Sequence, residues 1–208
     1  MNMRTKLVTT VVVCLLAVGV ASTVQAQRFE LTPFGGWRFG GGFESLATGA
    51  DLDLDGTFSY GLIFSIPWKA EHRSRLEVVW SAQNTTLASP IYGEPAFDLD
   101  VHYLHLSGMV PFHTSIAKLD TLLTAGAGVT YLQPGIDGAG SEVGFSVSFG
   151  GGLIYHVSNR VGLRFEARGW FTFTEGGAAV FCSGGCVVAF GGSGFGQVDV
   201  TAGLQLAF

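Results

Sequence analysis

From Phe195 to Phe208 the chain alternates apolar and polar residues and ends on a phenylalanine. Val198, Val200, Ala202, Leu204, Leu206 and Phe208 fall on one side, and Gln197, Asp199, Thr201, Gly203 and Gln205 on the other. Successive side chains of a strand point to opposite faces, so this is a ribbon with one oily and one polar face. Alone it fits the edge of any sheet. The opposite end of the chain narrows the choice.

Arg4 and Lys6 make a basic start, Leu7 to Val20 is almost wholly apolar, and Val24-Gln25-Ala26 is a small-x-small cleavage site. The apolar run falls short of the about 20 residues a spanning helix needs. It fits the core of a secretory signal, with cleavage expected after Ala26. Residues 1–26 therefore read as a signal peptide and 27–208 as one exported domain. Cys14 lies inside the apolar run with no cysteine at the cleavage point, which speaks against a lipoprotein anchor.

Loss of the signal moves the formal charge from −5 to about −7. The remaining basic residues are few and scattered, which is no footprint for a nucleic-acid partner. Glycine, 31 of 208 residues, is well above the usual about 7 %, and only 13 % of residues are charged. No segment after the signal is long and apolar enough for a transmembrane helix. An exported, apolar, helix-free chain is either a Gly-rich secreted sandwich or a membrane barrel.

Eight alternating segments can be placed. They begin near Phe29, Phe58, Leu76, Phe97, Leu119, Val143, Val161 and Phe195. Their connections alternate long and short, as do the outer loops and periplasmic turns of membrane barrels. Charges sit in mid-strand on the polar faces: Glu77, Arg164, Glu166, Arg168 and Asp199. Trp37, Tyr60, Trp80, Tyr131, Tyr155 and Trp170 read as an interfacial girdle near strand ends. With lipid outside, the oily faces point outward and the charges inward. The fourth segment is irregular. Leu99 and Val101 are odd whereas Leu104, Leu106 and Val110 are even, which implies a β-bulge near Tyr103 or a misplaced strand.

This pattern resembles the small eight-stranded outer-membrane barrels of the OmpA and OmpX type. Gly203-Leu204-Gln205-Leu206-Ala207-Phe208 resembles their C-terminal strand signal, which implies that the barrel-assembly machinery reads Phe208. The stretch from Tyr155 to Arg168 is similar to the hairpin these families carry between strands six and seven. The resemblance implies an all-β, eight-stranded antiparallel up-and-down transmembrane barrel in the bacterial outer membrane. Its implied partners are outer-membrane lipid and lipopolysaccharide, and its implied state is a monomer without cofactor or metal. The chain has no room after the barrel for a periplasmic peptidoglycan-binding domain of the kind OmpA-type proteins carry.

An eight-stranded barrel is just wide enough to be filled by its own side chains. Antiparallel pairing brings Asp199 near Arg168 and Arg38, and sets Gly150 and Gly152 against Glu166 and Arg164. Arg38, Glu77, Arg164, Glu166, Arg168 and Asp199 then form an interior charge network. An unpaired buried charge is costly, so mutual neutralisation in a plug is the expectation. The alternative is a narrow gated channel. The expected role is structural, or surface interaction through the longer loops, where function sits on such a scaffold.

Three other groups are candidates. His156-Val157-Ser158-Asn159 resembles the His-x-Ser-Asn of lipid A deacylases, with Glu166 as a third member of a hydrolytic triad. A turn on the periplasmic side is the wrong place for that chemistry, so no enzyme is expected and an ordinary turn is the simpler reading. Asp51-Leu52-Asp53-Leu54-Asp55-Gly56 begins like a calcium loop, but Leu62 occupies the position of the bidentate glutamate. Its alternation suggests that strand two extends above the membrane, with an acidic rim that includes Asp98 and Asp100. His102 and His105 lack a third metal ligand and read as ordinary strand residues. Cys182 and Cys186, spaced Cys-Ser-Gly-Gly-Cys in an exported chain, are expected to form a loop disulfide.

Overall fold

The computed structural model describes residues 29–45, 51–69, 73–86, 98–135, 140–173, 190–191 and 194–208. The signal segment and the cysteine pair Cys182 and Cys186 lie outside the described residues. Eight strands carry the fold: β1 (Glu30–Phe39), β2 (Thr57–Lys69), β3 (Ser74–Thr86), β4 (Asp98–His113), β5 (Leu119–Pro134), β6 (Glu142–His156), β7 (Val161–Phe173) and β8 (Gly194–Ala207). Each pairs antiparallel with its chain neighbours, and β1 pairs with β8 to close the barrel. Closure leaves no open edge, the condition for strands to cross lipid.

The faces follow the period-2 rule. Phe58, Leu104, Phe149 and Val200 point outward and are each more than half exposed, whereas Arg38, Glu77, Arg164, Glu166, Arg168 and Asp199 point inward and are buried. Water would leave so large an apolar outer wall unsatisfied; a bilayer satisfies it. The short connections from β2 to β3, β4 to β5 and β6 to β7 lie at one end of the barrel, with Glu30 and Ala207. That is the periplasmic end of such barrels, and the longer connections emerge at the outer end.

An aromatic belt girdles the outer end. Tyr60 meets Trp80 edge-on at 6.0 Å, Trp80 stacks on His102 at 6.4 Å, and His102 tilts against Tyr131 at 6.3 Å. Near the inner end Phe29 stacks on Phe208 at 5.0 Å, and the Phe208 N–H donates to the Phe29 carbonyl at 3.0 Å.

Three expectations are corrected. The fourth segment contains no bulge: β4 pairs with β3 and β5 in unbroken register from Asp98 to His113. Leu99, Val101 and Tyr103 are instead inward residues of an apolar layer with Leu54, Leu132, Trp170 and Phe195. Trp170 belongs to that layer and not to the girdle, since its even position places it on the face of Arg164 and Arg168. The acidic segment does not extend β2. Asp51–Asp53 pairs with Gly42–Ser45, which also pairs with Phe190–Gly191, in a separate three-stranded sheet beyond the barrel. Leu54 then turns inward, its N–H bonded to the Gly41 carbonyl at 2.8 Å.

Candidate functional site

The interior charges form two linked groups. In the first, Arg38 donates from Nε and Nη2 to the two carboxylate oxygens of Asp199 at 2.8 and 2.7 Å, a fork geometry that suits guanidinium and carboxylate. Nη2 also reaches Ser81 Oγ at 2.6 Å, and Asp199 accepts from Trp170 Nε1 at 2.9 Å. The Arg38 guanidinium lies over the Tyr103 ring at 4.8 Å, and Tyr103 stacks on Trp170 at 4.4 Å. On the other side Arg168 lies 5.4 Å from the Trp170 ring. The stacked rings are thus held between two cations, a desolvated cation–π arrangement.

In the second group Arg164 forks onto Glu77 at 2.7 and 3.1 Å and meets Glu166 at 2.7 Å. Arg168 also binds Glu166 at 2.7 Å and approaches Glu77 at 3.7 Å. Glu166 further accepts from Thr124 Oγ1 at 2.9 Å, and Glu77 from Ser65 Oγ at 3.3 Å. Three arginines face three carboxylates, so the interior is balanced in formal charge.

Backbone register explains the crowding. Asp199 lies opposite both Arg38 and Arg168, yet its ion pair is with Arg38. Gly150 lies opposite Arg168 and Gly152 opposite Glu166, one inward position away from the expected pairing. The glycines still leave the volume the long side chains need. A Cβ on Gly152 would come within 2.0 Å of the Phe165 carbonyl oxygen.

Polar groups continue toward the outer end. Tyr103 donates to Gln197 at 2.9 Å, and Gln197 donates to Gln83 at 3.1 Å. His105 sits between Ser146 at 2.7 Å and Ser148 at 3.1 Å. His102, an odd number of residues away, is on the lipid face, so the two histidines do not share a ligand. Above them the apolar layer of Leu54, Leu99, Val101, Leu132 and Phe195 fills the lumen. The interior is therefore polar in its lower part and apolar above.

The hydrolytic set is not assembled. His156 Nε2 bonds Asp120 at 3.0 Å, Ser158 Oγ accepts from the N–H groups of Arg160 and Val161, and Glu166 is engaged by Arg164 and Arg168. At the rim, Asn84 donates to Asp100, and Thr86 to Asp98 at 3.4 Å. Among the described residues no group of three His, Cys, Asp or Glu side chains is arranged to hold a metal ion.

Sequence reasoning passed over the periplasmic end. There Asp120 joins three turns: it meets His113 at 2.6 Å, His156 at 3.0 Å and Arg73 at 3.4 Å. Glu30 pairs with Arg75 at 3.0 Å and accepts from Gln205 at 2.6 Å. Parity carried the signal, since Glu30, Arg75, Asp120, His156 and Gln205 all occupy inward positions of their strands.

No family model matches the sequence, and no curated protein matches it. Solved structures do. Neisserial surface protein A aligns with a TM-score of 0.58 at 12 % identity, over 88 % of this chain and 98 % of that one. The outer membrane protein AlkL, solved in lipid bilayers, aligns with a TM-score of 0.51 at 13 % identity, over 91 % and 94 %. The likeness is one of fold: the chain folds as a small eight-stranded outer-membrane β-barrel, the architecture of the OmpA and OmpX type, and its apolar outer wall and charge-bearing interior are those of a protein embedded in that membrane.

Proposed function

We propose that this protein is a plugged outer-membrane barrel, a structural or surface-interaction scaffold that acts through its outer connections and has no open pore. The observation that carries this reading is the interior itself. A charge-balanced arginine–carboxylate network crosses the lower lumen, and an apolar layer lies above it. A hydrated ion would have to break buried ion pairs and then cross an apolar zone, both costly steps. Function on such a scaffold then sits outside the plugged lumen, as a rule on the longer connections.

The reading includes a monomer bathed in outer-membrane lipid and lipopolysaccharide, assembled through its C-terminal Phe208, with a loop tied by Cys182 and Cys186. Neisserial surface protein A, which this chain resembles in fold, is named for a surface location, which agrees with a role at the cell exterior.

Planar-bilayer recording of the refolded protein tests it. No conductance steps above the lipid baseline are expected. Steps that change in Arg168→Ala would instead establish the channel. Hydrolysis of lipopolysaccharide esters, lost in Ser158→Ala, would establish the enzyme. A deletion of 176–189 should leave the folded barrel intact and remove whatever surface binding the wild type shows.

A further inference from the structure

At the periplasmic end the lumen opens into a cleft of about 400 Å³. Its side chains come from four places in the chain: Glu30 on β1, Arg73 and Arg75 at the start of β3, His156 to Arg160 in the turn after β6, and Gln205 on β8. Glu30, Arg75, His156 and Gln205 occupy inward positions, so the cleft is the inner mouth of the barrel, facing the periplasm and not the lipid. The Arg164–Glu77 pair lies further up the lumen and makes the cleft a dead end.

The lining is strongly cationic. Three arginines meet one carboxylate, Glu30, which Arg75 and Gln205 already engage. The Arg73 side chain is 50 % exposed and shares Asp120 with His113 and His156. Arg160 is exposed and has no ion pair among the described residues. Its donors are available to an incoming anion, and Arg73, whose Nη1 lies against the His113 ring and whose Nη2 meets Asp120, adds its half-exposed charge beside them. A fork of N–H groups is the geometry that suits carboxylate and phosphate.

Gln205 is only 7 % exposed, and while its Nε2 donates to Glu30, its Oε1 has no hydrogen-bond partner. A buried acceptor without a partner asks for a donor. The charge of the whole chain is also polarised. Apart from the interior Arg38, Arg164 and Arg168, every lysine and arginine from residue 30 onward (Lys69, Arg73, Arg75, Lys118 and Arg160) is at the periplasmic end. The outer connections 40–56, 87–97, 135–141 and 174–193 contain no lysine, arginine or histidine. Such a distribution attracts anions to the inner mouth and not to the outer one.

We propose that the periplasmic mouth is a binding site for a small oxyanion that also carries an O–H or N–H donor. Arg73, Arg160 and Asn159 hold its oxygens, and Gln205 Oε1 accepts from its donor. Protonated phosphate and a free amino-acid head group both have this chemistry; a simple carboxylate lacks the donor. This site is separate from the surface role and does not depend on it.

The test is side-chain ¹H–¹⁵N spectroscopy of the mature protein in detergent micelles near neutral pH. Inorganic phosphate, glycine and acetate are titrated separately against chloride at constant ionic strength. Saturable shifts of the Arg73 and Arg160 Nε–H and Gln205 amide signals are expected with phosphate or with glycine, and the probe that gives them identifies the source. Acetate should bind about tenfold more weakly, and Arg160→Gln should weaken binding of the better probe by about tenfold. Arg160 is in an exposed turn, and the heat-dependent gel shift of a folded barrel verifies that the variant folds. Shifts that never saturate, that chloride reproduces, or that survive an Arg73→Gln/Arg160→Gln double variant overturn the site. Acetate binding equal to phosphate and glycine overturns the part assigned to Gln205.

Discussion

Arg38 and Asp199 face each other across the seam that closes the barrel, paired in register on β1 and β8 and joined by two hydrogen bonds of 2.8 and 2.7 Å. One is near the start of the barrel and the other near its end, so the pair forms only when the ring is complete. Both side chains are almost fully buried. Removal of one partner leaves a charge in a low-dielectric interior, at a cost of about 3–5 kcal/mol. We expect Asp199→Ala to lower the unfolding free energy of the protein in lipid vesicles, read from urea titration, by that amount. An Arg38→Met/Asp199→Leu double variant should recover much of the loss, since an apolar pair leaves no orphaned charge. A double variant as unstable as the single would show that the seam needs the ion pair itself.

The glycines of β6 make a contrasting prediction. Gly152 has no room for a methyl group, because a Cβ would lie 2.0 Å from the Phe165 carbonyl oxygen and 2.9 Å from Glu166 Cα. Both are backbone atoms and cannot swing aside. Gly152→Ala should cost about 1–3 kcal/mol by overpacking. Gly108 on the lipid face has nothing within 4 Å of its Cβ position. Gly108→Ala should change stability by no more than about 0.5 kcal/mol. Equal effects in the same unfolding assay would refute the packing argument.

The contrast reflects what a sequence can say about a barrel. Strand faces were legible outside the fourth segment and Trp170, because period-2 alternation survives most local detail. The pairing of Asp199 with Arg38 and Arg168 was legible too, by extension inward from the turns. The level of Gly150 and Gly152 was not. A slip of two residues keeps every side chain on its face, so the hydrophobic pattern cannot register it. Residue type misled where it conflicted with parity. Trp170 looks like a girdle residue and Leu99 like a lipid-facing one, yet both positions point inward and build an apolar layer that composition alone does not announce. Glu30, Arg75 and Asp120 resemble solvated loop charges because they sit at strand ends; only their inward parity reveals the clustered mouth.

Trp170 is the residue on which the upper interior depends. Its ring stacks on Tyr103 between two arginines, and its N–H donates to Asp199 at 2.9 Å. Trp170→Ala removes both contributions and leaves a cavity, for about 3–5 kcal/mol. Trp170→Phe retains most of the stack and loses only the hydrogen bond to a charged acceptor, worth about 1.5–3 kcal/mol. The ratio of the two losses, read from urea titrations, separates packing from hydrogen bonding. If the phenylalanine variant is as unstable as the alanine one, the stacked rings contribute little.

Asp120 ties together turns that have no covalent link near one another. Its carboxylate meets Arg73 from the β2–β3 turn, His113 at the end of β4 and His156 at the end of β6. The partners are partly exposed, the His113 side chain by 70 % and that of Arg73 by 50 %, so solvent screens each contact to about 0.2–1 kcal/mol. The effect of Asp120→Ala should accordingly be local. Amide exchange should quicken at Leu119, whose N–H bonds the Ile116 carbonyl at 3.2 Å, and at His156, whose N–H bonds the Lys118 carbonyl at 2.8 Å. Amides in mid-strand, which open only with the whole barrel, should hardly change. Acceleration spread evenly over all strands would mean that Asp120 supports the barrel as a whole and not its periplasmic turns.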